Sequence, residues 1–68
     1  MKALVKVYEF DSTETDYEAK EHFETGVGYR IECTSGMIVI VHPQSVKKIE
    51  IYEGDELIRT VQETRHGG

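Results

Sequence analysis

Apolar and polar positions alternate through the middle of the chain. Every second residue from Val27 to Cys33 is apolar or aromatic, the period of two that places successive side chains on opposite faces of a β-strand. Residues 37–41 are apolar at every position, which is typical of a strand covered on both faces, so we expect this strand at the centre of the sheet. A further alternation around Ile49 and Ile51 predicts another strand. The middle of the chain therefore predicts a sheet.

Turn-forming residues separate these strands. Gly36 can adopt the positive φ that a short hairpin loop needs. Pro43 has no N–H to give to a ladder and so ends the preceding strand, with Val46 expected to point inward at the corner that follows. Gly54 marks the turn before a last strand over residues 57–61. Connections this short join antiparallel neighbours, as in a meander.

The fold predicted from these elements is mainly β. With a first strand over residues 2–10, the chain forms a small antiparallel meander or open barrel of five to six strands. Residues 1–62 are predicted to make a single small β domain. Residues 63–68 contain no apolar side chain and are predicted to form a flexible C-terminal tail.

Residues 14–24 fit two descriptions. As a strand, Tyr17, Ala19 and Phe23 share one face, and only Glu21 departs from that pattern. As a helix, the segment has good helix formers but no stripe that buries much apolar surface. Propensity differences amount to roughly a few tenths of a kcal/mol per residue, less than packing usually contributes, so an edge strand is favoured. The α+β alternative, with one helix at about 14–24, stays open.

Length and cysteine content limit how this domain can be stabilised. A chain of 68 residues buries only roughly 60% of the surface exposed by its unfolded form. The single cysteine, Cys33, excludes an intramolecular disulfide, and small sheets without such a staple often self-associate, so a homo-oligomer is expected. No apolar run approaches the ~20 residues of a membrane span, and no signal peptide is recognisable. A free cysteine then predicts the cytoplasm.

Negative charge is concentrated in one segment. Residues 9–25 hold seven acids and a single base, Lys20, whereas the other fifty-one residues carry six acids and seven bases. The net charge of −5 disfavours direct binding to nucleic acid, which relies on clustered Lys and Arg. An acidic segment can instead steer a basic protein partner.

Aromatic and acidic side chains supply the candidate binding residues. Four tyrosines in so short a chain, together with an arginine, resemble the composition of protein interfaces. The residues expected to contact a partner are Tyr8, Tyr17, Tyr29, Arg30, Tyr52, Glu14, Asp16 and Glu18. The chain is therefore predicted to be a non-enzymatic protein-interaction module, for example an inhibitor or adaptor encoded by a phage, with a tyrosine-bearing sheet face and an acidic segment.

No catalytic residues, metal ligands or cofactors are predicted. A dyad of Cys33 and His42 is conceivable across the hairpin, but Cys33 lies on the apolar face, where thiols are usually inert. The acids lack the spacing of a calcium-binding loop. A small-molecule binder is a further alternative, with its pocket between subunits because one such domain can hardly enclose ~300 Å³.

The C-terminal glycines give another alternative. Gly67 and Gly68 end the chain, and the turn Gly54-Asp55-Glu56-Leu57 precedes the last predicted strand. In these two features the chain resembles ubiquitin-like and sulfur-carrier proteins. The resemblance implies that the terminal carboxylate is adenylated and then linked to an amine or to sulfur. It also implies a substantial helix after the first hairpin.

Overall fold

The computed structural model describes residues 2–62, which form six antiparallel strands in one open sheet. The strands are β1 (Ala3–Tyr8), β2 (Glu14–Thr25), β3 (Gly28–Cys33), β4 (Ile38–Val41), β5 (Lys48–Glu53) and β6 (Glu56–Val61), with a short 3-10 helix, η1 (Pro43–Ser45), before β5. The mainly β prediction is confirmed. The helical alternative for residues 14–24 is wrong, because that segment is the longest strand of the sheet.

The order of the strands in the sheet is β4-β3-β2-β1-β5-β6. The chain runs as a meander from β1 through β4, but β5 then returns to pair with the free side of β1. The prediction that β2 is an edge strand is therefore wrong, because its first half pairs with β1 and its second half with β3. The prediction of a central position for residues 37–41 is also wrong, because β4 ends the sheet.

A β-bulge at Lys20 determines which side chains of β2 face the core. Ala19 pairs with Cys33, but the next pair joins Glu21 to Glu32, so Lys20 has no partner in the ladder. The extra residue changes the phase of the alternation. Ala19 therefore points to the core, whereas Phe23 points outward and is 40% exposed. The prediction that Phe23 shares a face with Tyr17 and Ala19 is therefore wrong, because the alternation assumed an unbroken strand.

The bulge also divides the sheet into two parts that pack against each other, since an extra residue bends a strand. The first half-sheet is β1, β5, β6 and the first half of β2; the second half-sheet is β3, β4 and the second half of β2. Three strands lie between β6 and β3 in the sheet order, yet the guanidinium carbon of Arg59 lies 5.5 Å from the centre of the Tyr29 ring. The same guanidinium lies 3.5 Å from Glu24. Only a strongly curled sheet brings these residues together.

The core lies on the concave side of this curled sheet. Val5, Ile31, Ile49 and Ile51 are completely buried in it, and Val46 closes one corner as predicted. The members of the core, drawn from both half-sheets, are Ala3, Val5, Val7, Ala19, Tyr29, Ile31, Cys33, Val41, Val46, Ile49 and Ile51.

Two short turns fix the hairpins. In the β2–β3 hairpin, Gly28 has φ +148°, and a Cβ at this position would lie 2.9 Å from the carbonyl oxygen of Val41. Only glycine therefore fits where β3 starts beside β4. Val27, which the alternation assigned to the strand, lies in the turn and is 66% exposed. The predicted turn before the last strand is confirmed, with Gly54 at φ +63°.

Two further predictions concern the ends of the chain and the membrane. The predicted tail, residues 63–68, lies outside the described residues. Within residues 2–62, no helix has both the length and the apolar character that crossing a bilayer requires.

Candidate partner-binding surface

Most of the predicted binding residues lie on the convex side of the first half-sheet. Residues directly opposite each other in a ladder share a face. Lys6 lies opposite Asp16 on one side and Glu50 on the other, and Tyr8 lies opposite Glu14. We call this surface the outer polar face. Its members are Leu4, Lys6, Tyr8, Glu14, Asp16, Glu18, Lys48, Glu50 and Tyr52.

Glu50 is the centre of a hydrogen-bonded cluster on this face. The hydroxyls of Tyr8 and Tyr52 both donate to its Oε1, each at 2.9 Å. Lys48 Nζ lies 3.2 Å from its Oε2, and the Glu50 side chain is only 13% exposed. The same ammonium lies 4.9 Å from the centre of the Tyr8 ring, within the range of a cation–π contact. The two tyrosine side chains are therefore held in fixed orientations on an exposed surface.

The cluster shifts the pKa values of its members. A hydrogen bond to the Glu50 carboxylate raises the pKa of Tyr8 to about 12. The same carboxylate raises the pKa of Tyr52. Burial alone would raise the pKa of Glu50, but the hydrogen bonds from the two tyrosines and the lysine outweigh it, so this pKa is lowered. Both phenols stay protonated at neutral pH and act as hydrogen-bond donors, not as proton acceptors.

The three acids of β2 project from the same face and are exposed. Lys6 Nζ donates to Glu14 at 2.8 Å and lies 3.5 Å from Asp16. The hydrogen bond to Glu14 raises the pKa of Lys6 to about 12, and that bond in turn lowers the pKa of Glu14. Glu18 accepts a hydrogen bond from the Thr34 hydroxyl at 3.0 Å. Exposed ion pairs contribute little to stability, so their main effect here is to orient the carboxylates.

The outer polar face is negative overall. It carries four carboxylates (Glu14, Asp16, Glu18 and Glu50) against the ammonium groups of Lys6 and Lys48 and that of Lys2, which lies 3.7 Å from Glu18. The remaining acids of the acidic segment lie elsewhere. Glu21 projects from the second half-sheet, and Glu24 lies beside Arg59.

Three of the eight predicted binding residues lie off this face. Tyr29 is completely buried, and its hydroxyl lies 3.0 Å from His22 Nδ1. Tyr17 is half-buried on the concave side against the core. Arg30 lies on the convex side of the second half-sheet, 3.2 Å from Glu32. The tyrosines do not form one face, because strand alternation sends Tyr8 and Tyr52 outward and Tyr17 and Tyr29 inward.

Sequence reasoning missed Glu50, Lys48 and Lys6. Their importance depends on β5 pairing with β1, and the paired residues are at least forty positions apart in the chain. The signal available in the sequence was the alternation around Ile49 and Ile51, which places residue 50 on the polar side of its strand. That pattern gives the face of the residue but not its neighbours.

The other constellations considered from the sequence do not assemble. Cys33 is buried at one end of β3, whereas His42 follows Val41, which pairs with Tyr29 near the other end. Within residues 2–62 no group of three or more His, Cys, Asp or Glu side chains is arranged to hold a metal ion. A groove of about 280 Å³ lies between the half-sheets beside η1, with both apolar and polar groups in its walls. Its lining residues are Val7, Glu9, Tyr17, Val39, Ile40, Val41, His42, Ser45 and Val46.

No protein-family model, curated protein or solved structure matches the chain. What the protein binds therefore has to follow from the chemistry of its own surfaces.

Proposed function

We propose that this protein is a non-enzymatic interaction module that binds a basic region of a protein partner through the outer polar face. The observation that carries the proposal is the position of Glu14, Asp16 and Glu18. These three exposed carboxylates project beside two tyrosines whose hydroxyls are already bound by Glu50. Such a surface offers negative charge and aromatic contact area together.

The mechanism follows from how this surface is organised. The carboxylates attract a positively charged partner during diffusion and so raise the rate of association. The rings of Tyr8 and Tyr52 then contact the aliphatic and guanidinium parts of Lys and Arg side chains. Because both hydroxyls already donate to Glu50, binding requires little further ordering of these side chains.

A module of this kind acts by occupying a basic surface. If that surface belongs to an enzyme that binds nucleic acid, the module is an inhibitor; if it lies between two proteins, the module is an adaptor. The carrier alternative gains no support from the fold, since residues 2–62 contain no α-helix and Gly67 and Gly68 lie outside the described residues.

Two charge-matched variants test the proposal. The face variant combines Glu14→Gln, Asp16→Asn and Glu18→Gln. The control variant combines Glu53→Gln, Asp55→Asn and Glu56→Gln, three exposed acids around the β5–β6 turn. Each variant removes three negative charges, so an effect of net charge alone would be the same in both.

The measurement is affinity capture from a lysate of the source cells, with the bound proteins quantified by mass spectrometry. We expect a basic protein that the wild type and the control variant retain equally. The face variant should bind it about tenfold more weakly, since three exposed charges at about 0.5 kcal/mol each give that factor. The proposal would be contradicted if both variants retained the basic protein equally, or if the protein lost by the face variant were acidic.

A further inference from the structure

We propose that β4 pairs with β4 of a second copy of the chain, so that two sheets join edge to edge in an antiparallel dimer. This inference goes beyond the proposed function, because β4 lies in the second half-sheet and contributes nothing to the outer polar face. It rests on the backbone, the side chains and the charge of this edge.

One edge of β4 has no partner strand within the part of the chain that the structure describes, so its backbone groups are unpaired there. Among residues 2–62, β4 pairs only with β3, and the amide of Cys33 donates to the carbonyl of Met37 at 2.8 Å. Because hydrogen-bonding residues alternate along an antiparallel strand, Met37, Val39 and Val41 direct their N–H and C=O groups toward β3. Ile38 and Ile40 direct theirs away from the sheet. These two residues can therefore form a new ladder.

The side chains of the same two residues are exposed as well. Ile38 is 52% exposed and Ile40 is 46% exposed, both on the convex side of the second half-sheet. Phe23, 40% exposed, lies in the same row as Ile40, with Arg30 between them. Ile38 and Ile40 form an apolar patch along the edge of an otherwise acidic protein, and Arg30 separates this patch from Phe23.

The two edges of the sheet differ in how they are protected against pairing. β6 carries Glu56 and Arg59 and has a bulge at Ile58, which are features that discourage edge pairing. β4 reads Ile-Val-Ile-Val, with no charge, no proline and no bulge. One edge is therefore protected, and the other is open to a partner.

Symmetry favours a second copy of β4 as that partner. In a two-fold antiparallel pair, residues that direct their backbone groups outward must lie opposite each other. If Ile38 lies opposite the partner's Ile40, then by symmetry Ile40 lies opposite the partner's Ile38, and both pairs meet this condition. Val39 then lies on the two-fold axis. Shifting the pairing by two residues in either direction instead places Ile40 opposite the partner's Gly36 or Ile38 opposite the partner's His42. Only the first register keeps all four isoleucine side chains in contact.

Charge is complementary in this register. Along one row of the joined sheet, Arg30 and Ile40 are followed by the partner's Ile38 and the partner's Glu32. In each row, the pair of isoleucines is therefore flanked by an arginine on one side and a glutamate on the other. Within one copy Arg30 also pairs with Glu32 at 3.2 Å, so the edge itself is locally neutral. The acids of the outer polar face lie on the other half-sheet and do not oppose the contact.

The test compares two isoleucines of similar exposure on the two edges. Ile40→Lys places a charge on β4, and Ile58→Lys makes the same change on β6, where the isoleucine is 42% exposed. By sedimentation equilibrium, the wild type and Ile58→Lys should have twice the chain mass of 7.8 kDa, whereas Ile40→Lys should be a monomer. A monomeric wild type, or equal dimerisation of the two variants, would overturn the proposal.

Amide hydrogen exchange in the wild type tests the same contact without any substitution. The amides of Ile38 and Ile40 should become protected as the protein concentration rises, while that of Ile58 should not change. A dimer in which these two amides still exchange rapidly would use another surface and would overturn the proposal. The variants also separate the two proposals: Ile40→Lys should still bind the basic partner, and the triple variant of the outer polar face should still dimerise.

Discussion

Glu50 and Tyr29 show, at the scale of single residues, how the two sides of the sheet use tyrosine differently. On the convex side, Glu50 accepts hydrogen bonds from two tyrosines and fixes them as part of a surface. On the concave side, Tyr29 is a core residue whose hydroxyl reaches His22 and whose ring lies beneath Arg59. The same residue type thus forms part of the outer polar face on one side and packs the core on the other.

Replacing Glu50 with Gln tests the convex cluster. Loss of the carboxylate should lower the pKa of Tyr8 from about 12 toward its ordinary value of 10.0. The raised pKa also makes folding pH-dependent: its contribution to stability is complete below pH 10.0 and is lost as the pH rises through about 12. Ultraviolet titration of tyrosinate in the wild type and Glu50→Gln measures the shift. An unchanged titration curve would show that Glu50 does not bind the phenols.

A double-mutant cycle tests the concave contact. Tyr29→Phe keeps the ring and removes the hydroxyl, which should lower the free energy of unfolding by about 0.5–1.5 kcal/mol. If the lost interaction is the one with His22, Tyr29→Phe should have little further effect in a His22→Ala background. Chemical denaturation of the four proteins measures the coupling. Additive effects of the two substitutions would mean that the hydroxyl has another partner.

Strand β2 is the element on which the architecture depends. Its first half pairs with β1, its second half pairs with β3, and the bulge at Lys20 lets the two halves face each other across the core. Deleting Lys20 would make the ladder continuous while leaving Glu21 opposite Glu32. The strand would then be straighter, and the half-sheets could not close over the core.

Comparing deletion of Lys20 with substitution of Lys20 separates the effect of the bulged backbone on stability from the effect of the lysine side chain. We expect deletion of Lys20 to abolish the cooperative unfolding transition or to lower stability by several kcal/mol, on the order of a severe core defect. Lys20→Ala keeps the bulge and changes only an exposed side chain, so it should stay within about 0.5 kcal/mol of the wild type. Chemical denaturation compares the two. A deletion variant as stable as Lys20→Ala would show that the bend is dispensable.

The elements themselves could be predicted from the sequence, but their arrangement could not. Period-two alternation located β3 and β5, and glycine and proline located the turns, because these signals are local. The return of β5 to β1 is a non-local pairing that no short pattern encodes. The same limitation made β4 look central: its all-apolar sequence fits a strand covered on both sides, and the edge position leaves Ile38 and Ile40 exposed instead.

At the scale of the whole molecule, one bent sheet presents two convex surfaces of opposite character. The first half-sheet carries the outer polar face, and the second carries the apolar patch around Ile38 and Ile40. The acidic segment, a single feature in the sequence, is divided between them at Lys20. A dimer joined through β4 would present two outer polar faces on one continuous sheet, which would allow bivalent binding of a basic partner.

The curled shape of the sheet depends on the bulge at Lys20. Cross-strand nuclear Overhauser effects between β2 and β3 test it most directly, because they report which residues lie opposite each other. With the bulge in place, we expect contacts from Glu21 to Glu32 and from Phe23 to Arg30, with Lys20 unpaired. Contacts from Lys20 to Glu32, continuing an unbroken ladder that turns Glu21 toward the core, would contradict it.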